Sequence, residues 1–244
     1  MRRGWPALVE DQVDGWLVRV SAGVTQRANS VVALDEPADV DAAVAAVERR
    51  YTAAGLPPVF QVGPTPRPAD LDERLAARGY AYGSPTLVQV AGSATVLDRL
   101  AGPAVLATVS AEPDEEWLDL WWLVDGRGDE SALAVAGKIL TGGPARYATV
   151  REAGRAVAVA RLALVGEWGG LYCLAVHPDA RRRGLAAAVT RAVVADAVGE
   201  GVERLWLQVV EQNAAARALY TRAGFTTHGR YHYRTGPRAD LHGQ

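Results

Sequence analysis

The residues of this chain best suited to chemistry form a short basic turn between two apolar segments. The apolar segment 171–176 is followed by the arginines at 181–183, then by Gly184 and an alanine-rich stretch. The first turn of a helix carries backbone N–H groups without intrahelical partners and the positive end of the helix dipole, so it attracts anions. Glycine lets a ligand approach the backbone, and arginine adds donors that suit phosphate. The pattern predicts a pyrophosphate site; a solvated charge run that caps the helix is the alternative.

This turn belongs to a series of predicted elements in the second part of the chain. Apolar periodicity indicates the helices and strands, and Gly, Pro and Asp residues mark their ends. In chain order we predict a strand over 104–109, helices over 114–124 and 129–140, strands over 146–151, 156–165 and 170–176, a helix over 182–199, a strand over 204–209, a helix over 213–222 and a final strand that ends at Tyr233. The residues after Tyr233 are too polar to predict a further strand, so we expect the amino-terminal half or a second subunit to cover that sheet edge.

Two spaced motifs accompany this element order. The first is Arg181-Arg-Arg-Gly-Leu-Ala186, and the second combines Asn213, Ala216, Tyr220 and Gly224-Phe225. Together, and in this order, they resemble the GNAT superfamily of acyl-CoA-dependent N-acyltransferases. A dinucleotide-binding fold is not indicated because the three-glycine fingerprint is missing, and the only lysine, Lys138, is not in a P-loop motif.

The resemblance implies the fold and the cofactor. The expected fold is α+β, of the three-layer α/β type, with a central mixed and mostly antiparallel sheet flanked by helices. The expected co-substrate is acetyl-CoA, with strand 174–176 pairing with the pantetheine arm and the Val176 N–H polarising the thioester. The implied cofactor-binding residues are Leu174, Ala175, Val176, Arg181, Arg182, Arg183, Gly184, Leu185, Ala186, Ala187, Asn213 and Ala216.

Three residues are candidates for proton transfer. Tyr220 lies at the family's position for the general acid, and a phenol has about the right acidity to protonate a departing thiolate; the alternative is a buried tyrosine that only packs on the sheet. The general base is left open between Glu211, which follows a predicted strand, and Glu167, which lies in a predicted hairpin. Either carboxylate could act through water, and either could be a solvated turn residue.

The first hundred residues show a weak internal repeat of the second part. The segment 59–62, with a following helix and Gly79-Tyr80, matches 206–209 and Gly224-Phe225 at offsets of 147 and 145 residues. In the first copy, acids at 36–41 stand where the second copy has its arginine turn, so they would repel a pyrophosphate. We therefore expect a degenerate GNAT-like domain over 1–100, without a cofactor site, before the N-acetyltransferase domain over 101–244; chance similarity is the alternative.

Composition limits the class of protein. The 244 residues are 49% hydrophobic and 22% charged with a net charge of −2, which is typical of a globular protein and gives no basic excess for nucleic acid. There is no run of 18 apolar residues and no signal-like start, so we expect a cytoplasmic protein without a membrane partner. The single cysteine, Cys173, cannot form a multi-cysteine metal site, and no metal is expected.

We predict an N-acetyltransferase that moves an acetyl group from acetyl-CoA to a primary amine by direct attack in a ternary complex. A small molecule or a peptide would carry the amine, and the enzyme would be a monomer or homodimer. Acids between 114 and 130 would suit a cationic acceptor, although a solvated helix face is the better explanation of them. The alternatives are a non-catalytic acyl-CoA sensor or scaffold, or the transfer of a longer acyl group.

Overall fold

The computed structural model describes residues 1–102 and 105–237, and its backbone divides into two units. Unit 1 contains Met1–Pro6 and Leu87–His228, and unit 2 contains Ala7–Thr86 and the chain from Gly229 onward. The long strands β5 and β11 are each shared between the units. The elements, in chain order, are β1 Val9–Val13, β2 Trp16–Val20, β3 Val31–Ala33, α1 Val40–Ala53, β4 Val59–Val62, α2 Leu71–Ala77, β5 Ala81–Gly92, α3 Ser93–Arg99, β6 Ala107–Ser110, α4 Glu115–Asp125, α5 Glu130–Leu140, β7 Ala145–Glu152, β8 Arg155–Val165, β9 Trp168–Val176, α6 Leu185–Gly199, β10 Arg204–Val210, α7 Ala214–Arg222 and β11 Thr226–Thr235.

In unit 1 the strand order is β6-β7-β8-β9-β10-β5-β11. The pairs β6/β7, β7/β8 and β8/β9 are antiparallel, whereas β9 and β10 are parallel because α6 connects them as a crossover helix. This mixed, mostly antiparallel sheet with flanking helices confirms the predicted α+β class. The predicted first strand is observed from Ala107; Ala104, where we expected it to begin, lies outside the described residues.

In unit 2 the strand order is β1-β2-β3-β4-β11-β5. Strands β3 and β4 are parallel and are connected by α1, while β4 pairs antiparallel with the end of β11. The register joins His232 to Val62 and Thr235 to Val59, so β11 continues beyond Tyr233, where the sequence predicted its end. Partner strand β4 stabilises this polar segment through backbone hydrogen bonds, which do not require apolar side chains. The tail 238–244 lies outside the described residues.

The core of unit 1 lies between one face of its sheet and the helices α3, α6 and α7. Leu87, Val96 and Leu100 belong to this core together with Leu185 and Val189 of α6. Because these residues near β5 and α3 pack with α6, the longer segment of unit 1 begins at Leu87. The sequence placed a domain boundary at 100/101. Unit 2 has a separate core around Trp16, Tyr51 and Phe60, which the sequence pattern did not resolve in detail.

The other face of the unit 1 sheet carries a buried arginine among aromatic rings. Arg161 is 0% exposed, and its guanidinium carbon lies 5.7 Å from the ring centres of Trp5 and Tyr172 and 5.8 Å from that of Tyr147. It donates to the carbonyls of Leu140 (3.1 Å) and Gly4 (2.8 Å). Carbonyl oxygens and ring faces therefore stabilise this buried cation.

Two tryptophans of α4 also pack on this face. Trp117 and Trp121 lie four residues apart with their rings 6.1 Å from each other, and both are buried. Trp117 Nε1 donates to the carbonyl of Ala148 at 3.2 Å. Both side chains therefore belong to the core. Over residues 1–102 and 105–237, none of the helices combines the length and apolarity needed to cross a membrane.

Candidate active site between two parallel strands

The parallel strands β9 and β10 stop pairing before they end. Their register runs from Trp168 and Arg204 to Leu171 and Leu207, although β9 continues to Val176 and β10 to Val210. The last residues of both strands therefore leave a gap in the sheet. Backbone groups that face such a gap have no strand partner and are open to a ligand.

Val176 directs its backbone N–H toward this gap. In the ladder with β8, Val159 pairs with Ala175, and the N–H of His177 donates to the carbonyl of Val157 at 2.9 Å. Successive residues of an antiparallel strand point their N–H groups to opposite sides, so the Val176 N–H points away from β8 and toward β10. This orientation suits the role that the sequence assigned to Val176.

A β-bulge in β9 comes just before this point. Val159 pairs with Ala175 but Arg161 pairs with Tyr172, so Cys173 and Leu174 together oppose a single residue of β8. Cys173 has a φ of +52°, in the left-handed region that non-glycine residues rarely adopt. The sequence did not predict this conformation, because nothing in a cysteine between apolar neighbours signals a positive φ.

The turn after β9 leads into the N-terminus of α6. Gly184 has a φ of +79° and precedes the first helical residue, Leu185. The first hydrogen bond of the helix joins the N–H of Ala188 to the carbonyl of Gly184, which leaves the N–H groups of Leu185, Ala186 and Ala187 without intrahelical acceptors. A Cβ on Gly184 would meet no atom within 4 Å, so the space beside these groups is open.

The three arginines of the turn have different partners. Arg183 forms a bidentate ion pair with Glu152, at 2.9 and 2.5 Å, and this carboxylate raises the pKa of the guanidinium. Arg181 Nε donates to the carbonyl of Val176 at 3.4 Å. Arg182 is exposed, has a φ of +65°, and has no side-chain partner among the described residues. Of the three predicted anion ligands, Arg182 is thus the one with an uncommitted guanidinium.

Helix α7 positions the residues of the second motif. The Asn213 side chain caps the helix by accepting a hydrogen bond from the N–H of Ala216 at 3.0 Å. Tyr220 is 9% exposed and packs edge to face on Phe225, with ring centres 5.8 Å apart. Both Ala216 and Tyr220 pack with the same core as α6. Asn213 therefore has a structural role at the helix start, and its amide nitrogen is not used in that cap.

The two candidate bases lie at opposite ends of the strands. Glu211 directly follows β10 and is half-buried, at the open end of the gap. Glu167 precedes β9 and forms an exposed ion pair with Arg204 at 3.5 Å. Glu167 lies nine positions before Val176 along an extended strand, which corresponds to about 30 Å. The structure therefore brings Glu211 close to the gap in sequence and space, and it does not bring Glu167 there.

Several acids of α4 and α5 have structural partners. Asp114 caps α4 by accepting from the N–H of Trp117 at 2.8 Å, and Asp129 caps α5 by accepting from the N–H of Ala132 at 3.1 Å. Arg151 pairs with both Asp114 and Glu116. Much of the acidic charge between 114 and 130 is thus used in helix caps and ion pairs.

Comparison with known proteins places these features in a family. A family model described as "Probable histone acetyltransferase Rv0428c C-terminal" matches residues 1–234. The chain is 27% identical over 232 residues to the "Uncharacterized N-acetyltransferase YobR" of Bacillus subtilis, across 94% of this chain and 93% of that protein. It is 37% identical over 90 residues to the ribosomal protein bS18-alanine N-acetyltransferase of Escherichia coli, across 36% of this chain and 61% of that enzyme.

A solved structure gives the same fold. The GCN5-related N-acetyltransferase from Kribbella flavida superposes with a TM-score of 0.72 at 16% identity, over 98% of this chain and 93% of that chain. This likeness confirms the fold expected from the two motifs. The bulge at Cys173 and the partners of the turn arginines are seen in the structure of this chain and do not depend on the comparison.

Proposed function

The chain belongs to the GNAT family of N-acetyltransferases, and from this premise we propose that it moves an acetyl group from acetyl-CoA to a primary amine by direct attack. The proposal depends above all on the gap between β9 and β10, which leads directly to the N-terminus of α6. An open strand edge can pair with an extended arm, and the helix start that follows it along the chain can bind a pyrophosphate at the end of that arm. The acceptor amine belongs to a small molecule or a peptide.

The chain's backbone would hold acetyl-CoA in two places. We assign the open edge of Leu174, Ala175 and Val176 to the pantetheine arm, which carries amides that can pair like a strand. We assign the N–H groups from Arg182 to Ala187 to the pyrophosphate. The Arg182 side chain, which has no partner among the described residues, would add a guanidinium to this site. The other two arginines would stabilise the turn. Arg181 does so through the Val176 carbonyl, and Arg183 through its ion pair with Glu152.

The reaction needs a polarised carbonyl, a proton donor and a proton acceptor. Acetyl-CoA supplies the activated thioester. In our assignment, the Val176 N–H donates to the thioester oxygen as the amine nitrogen bonds to the carbonyl carbon. Tyr220 gives its phenolic proton to sulfur as the carbon–sulfur bond breaks. Glu211 accepts the amine proton through a water molecule.

Substitution of Tyr220 by Phe tests the acid assignment. The ring and its packing on Phe225 are kept, so we expect a fall in kcat of about 100-fold with little change in the KM for acetyl-CoA. The assay is CoA release with saturating amine, and Tyr82→Phe, an exposed tyrosine of unit 2, is the control. An unchanged kcat would remove Tyr220 from the reaction and leave it a packing role.

The activity itself is tested by screening primary amines for acetyl-CoA-dependent CoA release. We expect turnover with at least one amine class and loss of turnover in Tyr220→Phe. If the chain binds acetyl-CoA but turns over none of the amines or peptides, a non-catalytic sensor replaces the enzyme proposal.

We further propose that the first part of the chain is a degenerate copy of the same fold. Helices α2 and α7 end in the same way, with Gly79 and Gly224 at φ of +80° and +91°. The N–H of Tyr80 donates to the Leu75 carbonyl, and 145 residues later the N–H of Phe225 donates to the Tyr220 carbonyl. Each unit also has a parallel strand pair connected by a helix, β3-α1-β4 and β9-α6-β10.

In this proposal the copy has no anion site, because an acidic side chain already caps the corresponding helix. At the start of α1, Asp39 Oδ1 already accepts from the N–H groups of Asp41 and Ala42, both at 3.0 Å. A carboxylate therefore occupies the position where α6 leaves N–H groups open, and it would repel a phosphate. We propose that the degenerate copy lies within 1–100 and the transferase within 101–244. The core residues of β5 and α3 belong to the first range but pack in the core of the transferase.

A further inference from the structure

A polar pocket lies on the side of α7 that faces away from Tyr220. Its volume is about 480 Å³, and its walls include Gln89, Arg217, Ala218, Thr221, Phe225 and Thr227. Arg217, Ala218 and Thr221 follow one another at helical spacing, so they share one face of α7. Ala216 and Tyr220 belong to the opposite, core-facing side. None of the residues that line the pocket is among those assigned to acetyl-CoA above.

One of the lining residues, Gln89, has an unpartnered polar atom. The residue is 4% exposed, and its Nε2 donates to Thr227 Oγ1 at 3.3 Å, while its buried Oε1 has no hydrogen-bond partner among the described residues. A buried polar atom without a partner is unfavourable, and a ligand group that reached it from the pocket would remove this cost. If the amide were rotated by 180°, its nitrogen would be the unpartnered atom.

The internal repeat proposed above, on which this comparison rests, relates the pocket to a cluster in unit 2. Residues 145 positions before Arg217, Phe225 and Thr227 are Asp72, Tyr80 and Tyr82, and the residue 145 positions after Gln89 is Arg234. These form a closed cluster. Arg234 Nε donates to Asp72 Oδ1 at 2.7 Å, Nη2 donates to Oδ2 at 3.1 Å, and the guanidinium lies 5.5 Å from the Tyr82 ring centre.

In unit 1 these positions no longer complement each other. The position of the acid holds Arg217 and the position of the arginine holds Gln89, so no lining residue of the pocket supplies the carboxylate present in unit 2. Arg217 Nη1 donates to the backbone carbonyl of Glu211 at 3.1 Å, and no carboxylate pairs with this guanidinium among the described residues. Tyr82 has become Thr227, which is smaller and leaves room. A carboxylate for Arg217 and an N–H or O–H donor for the Gln89 oxygen would restore the pairing that unit 2 makes internally.

We propose that this pocket binds a small carboxylate that also carries an N–H or O–H donor, such as an amino acid derivative or a hydroxy acid. The carboxylate pairs with Arg217, the donor group meets Gln89 Oε1, and the threonine hydroxyls of Thr221 and Thr227 border the ligand. Phe225 forms one wall and also packs on Tyr220, so the occupied pocket contacts a neighbour of the proposed acid.

Two-dimensional NMR titration of the ¹⁵N-labelled full chain tests this proposal, with glycylglycine, L-lactate, acetate and inorganic phosphate as probes. We expect glycylglycine and lactate to shift the amide signals of Thr221, Phe225 and Thr227. Acetate lacks a donor for Gln89 and should bind about three- to tenfold more weakly. If none of the probes shifts these signals, or if phosphate binds more tightly than every carboxylate, the proposal is overturned.

Three variants identify the site. Arg217→Gln should weaken glycylglycine binding at least about tenfold, because it removes the cation. Ala218→Tyr should block binding by filling the pocket without changing its charge. Arg222→Gln, an exposed arginine on the same helix outside the pocket, should bind as the wild type does. Wild-type binding in both Arg217→Gln and Ala218→Tyr would contradict the site. Because the readout is binding, the result is independent of whether the chain transfers acetyl groups.

Discussion

Among single residues, the surroundings decide the role more than the residue type does. Arg181, Arg182 and Arg183 are consecutive, yet one binds a backbone carbonyl, one is uncommitted and one is paired with Glu152. Arg161 is buried among rings, and no acidic side chain pairs with it in the part of the chain that the structure describes. These differences matter for function, because a guanidinium held in a bidentate pair with a carboxylate can bind a ligand only at the cost of that pair.

Asp72 provides a prediction for stability. Hydrogen bonds from Arg234 Nε and from His232 Nε2, each at 2.7 Å, lower the pKa of this carboxyl from 3.8 to about 2, with Arg234 the larger cause. The carboxylate therefore stabilises the folded chain fully above pH 3.8, and this contribution is lost as the pH falls toward about 2. Asp72→Asn should lower the free energy of unfolding at pH 7 by about 1 to 2 kcal/mol.

Urea denaturation at a series of pH values measures this effect. The difference between wild type and Asp72→Asn should shrink as the pH falls from 3.8 toward about 2. Asp70→Asn, which removes only the exposed pair with Arg74, should change the free energy of unfolding by less than about 0.5 kcal/mol. A difference for Asp72→Asn that is the same at all pH values would contradict the assignment.

Among the elements, the junction of β9 and α6 combines three backbone features. The bulge at Cys173, the unpaired Val176 edge and the left-handed Gly184 follow one another within twelve residues of chain. Each is a backbone conformation, so the site depends on how the strand ends and the helix begins. A change at Gly184 should therefore affect ligand binding without removing any side chain.

We expect Gly184→Val to weaken acetyl-CoA binding about tenfold or more. A valine at a φ of +79° is strained by about 1 to 2 kcal/mol, and its side chain would extend into the open space beside the helix start. Calorimetric titration with acetyl-CoA measures the affinity. Gly199→Val, at the other end of α6 with an ordinary φ and open surroundings, is the matched control. Wild-type affinity in Gly184→Val would refute the pyrophosphate assignment.

In the whole molecule, each unit is completed by residues distant in sequence. Unit 1 includes Met1–Pro6 as well as Leu87–His228, and unit 2 includes residues from Gly229 onward. Gly4 accepts a hydrogen bond from Arg161, and β4 pairs with the end of β11. A cut at the predicted domain boundary would therefore remove parts of unit 1.

Deletion of residues 1–100 should yield an insoluble chain. The deletion removes β5, the neighbour of β10, together with the core residues Leu87, Val96 and Leu100. An apolar core and a strand edge would become exposed, which favours aggregation. Expression, sedimentation and thermal unfolding are the measurements, and a chain that begins at Ala81 should recover more soluble protein. Cooperative unfolding of the 101–244 chain would show that the first hundred residues are dispensable.

The sequence by itself determined the fold class, the order of the elements in the second part and the place of the glycine turn before α6. These follow from local signals: apolar periodicity, glycine at a helix start and two motifs at fixed spacing. The helices α4, α5, α6 and α7 lie within a few residues of their predicted bounds for the same reason. The offset of 145 residues between Gly79 and Gly224 was also visible, since helix ends have local signatures.

Only the tertiary structure decided what depends on pairing between distant segments. The register of β8 against β9 creates the bulge at Cys173 and turns the Val176 N–H toward the gap, and the length of β9 separates Glu167 from that gap. The pairing of β4 with β11 carries the final strand past Tyr233. A strand's partners and register are set by the other strand as much as by its own residues, so no single stretch of sequence contains them.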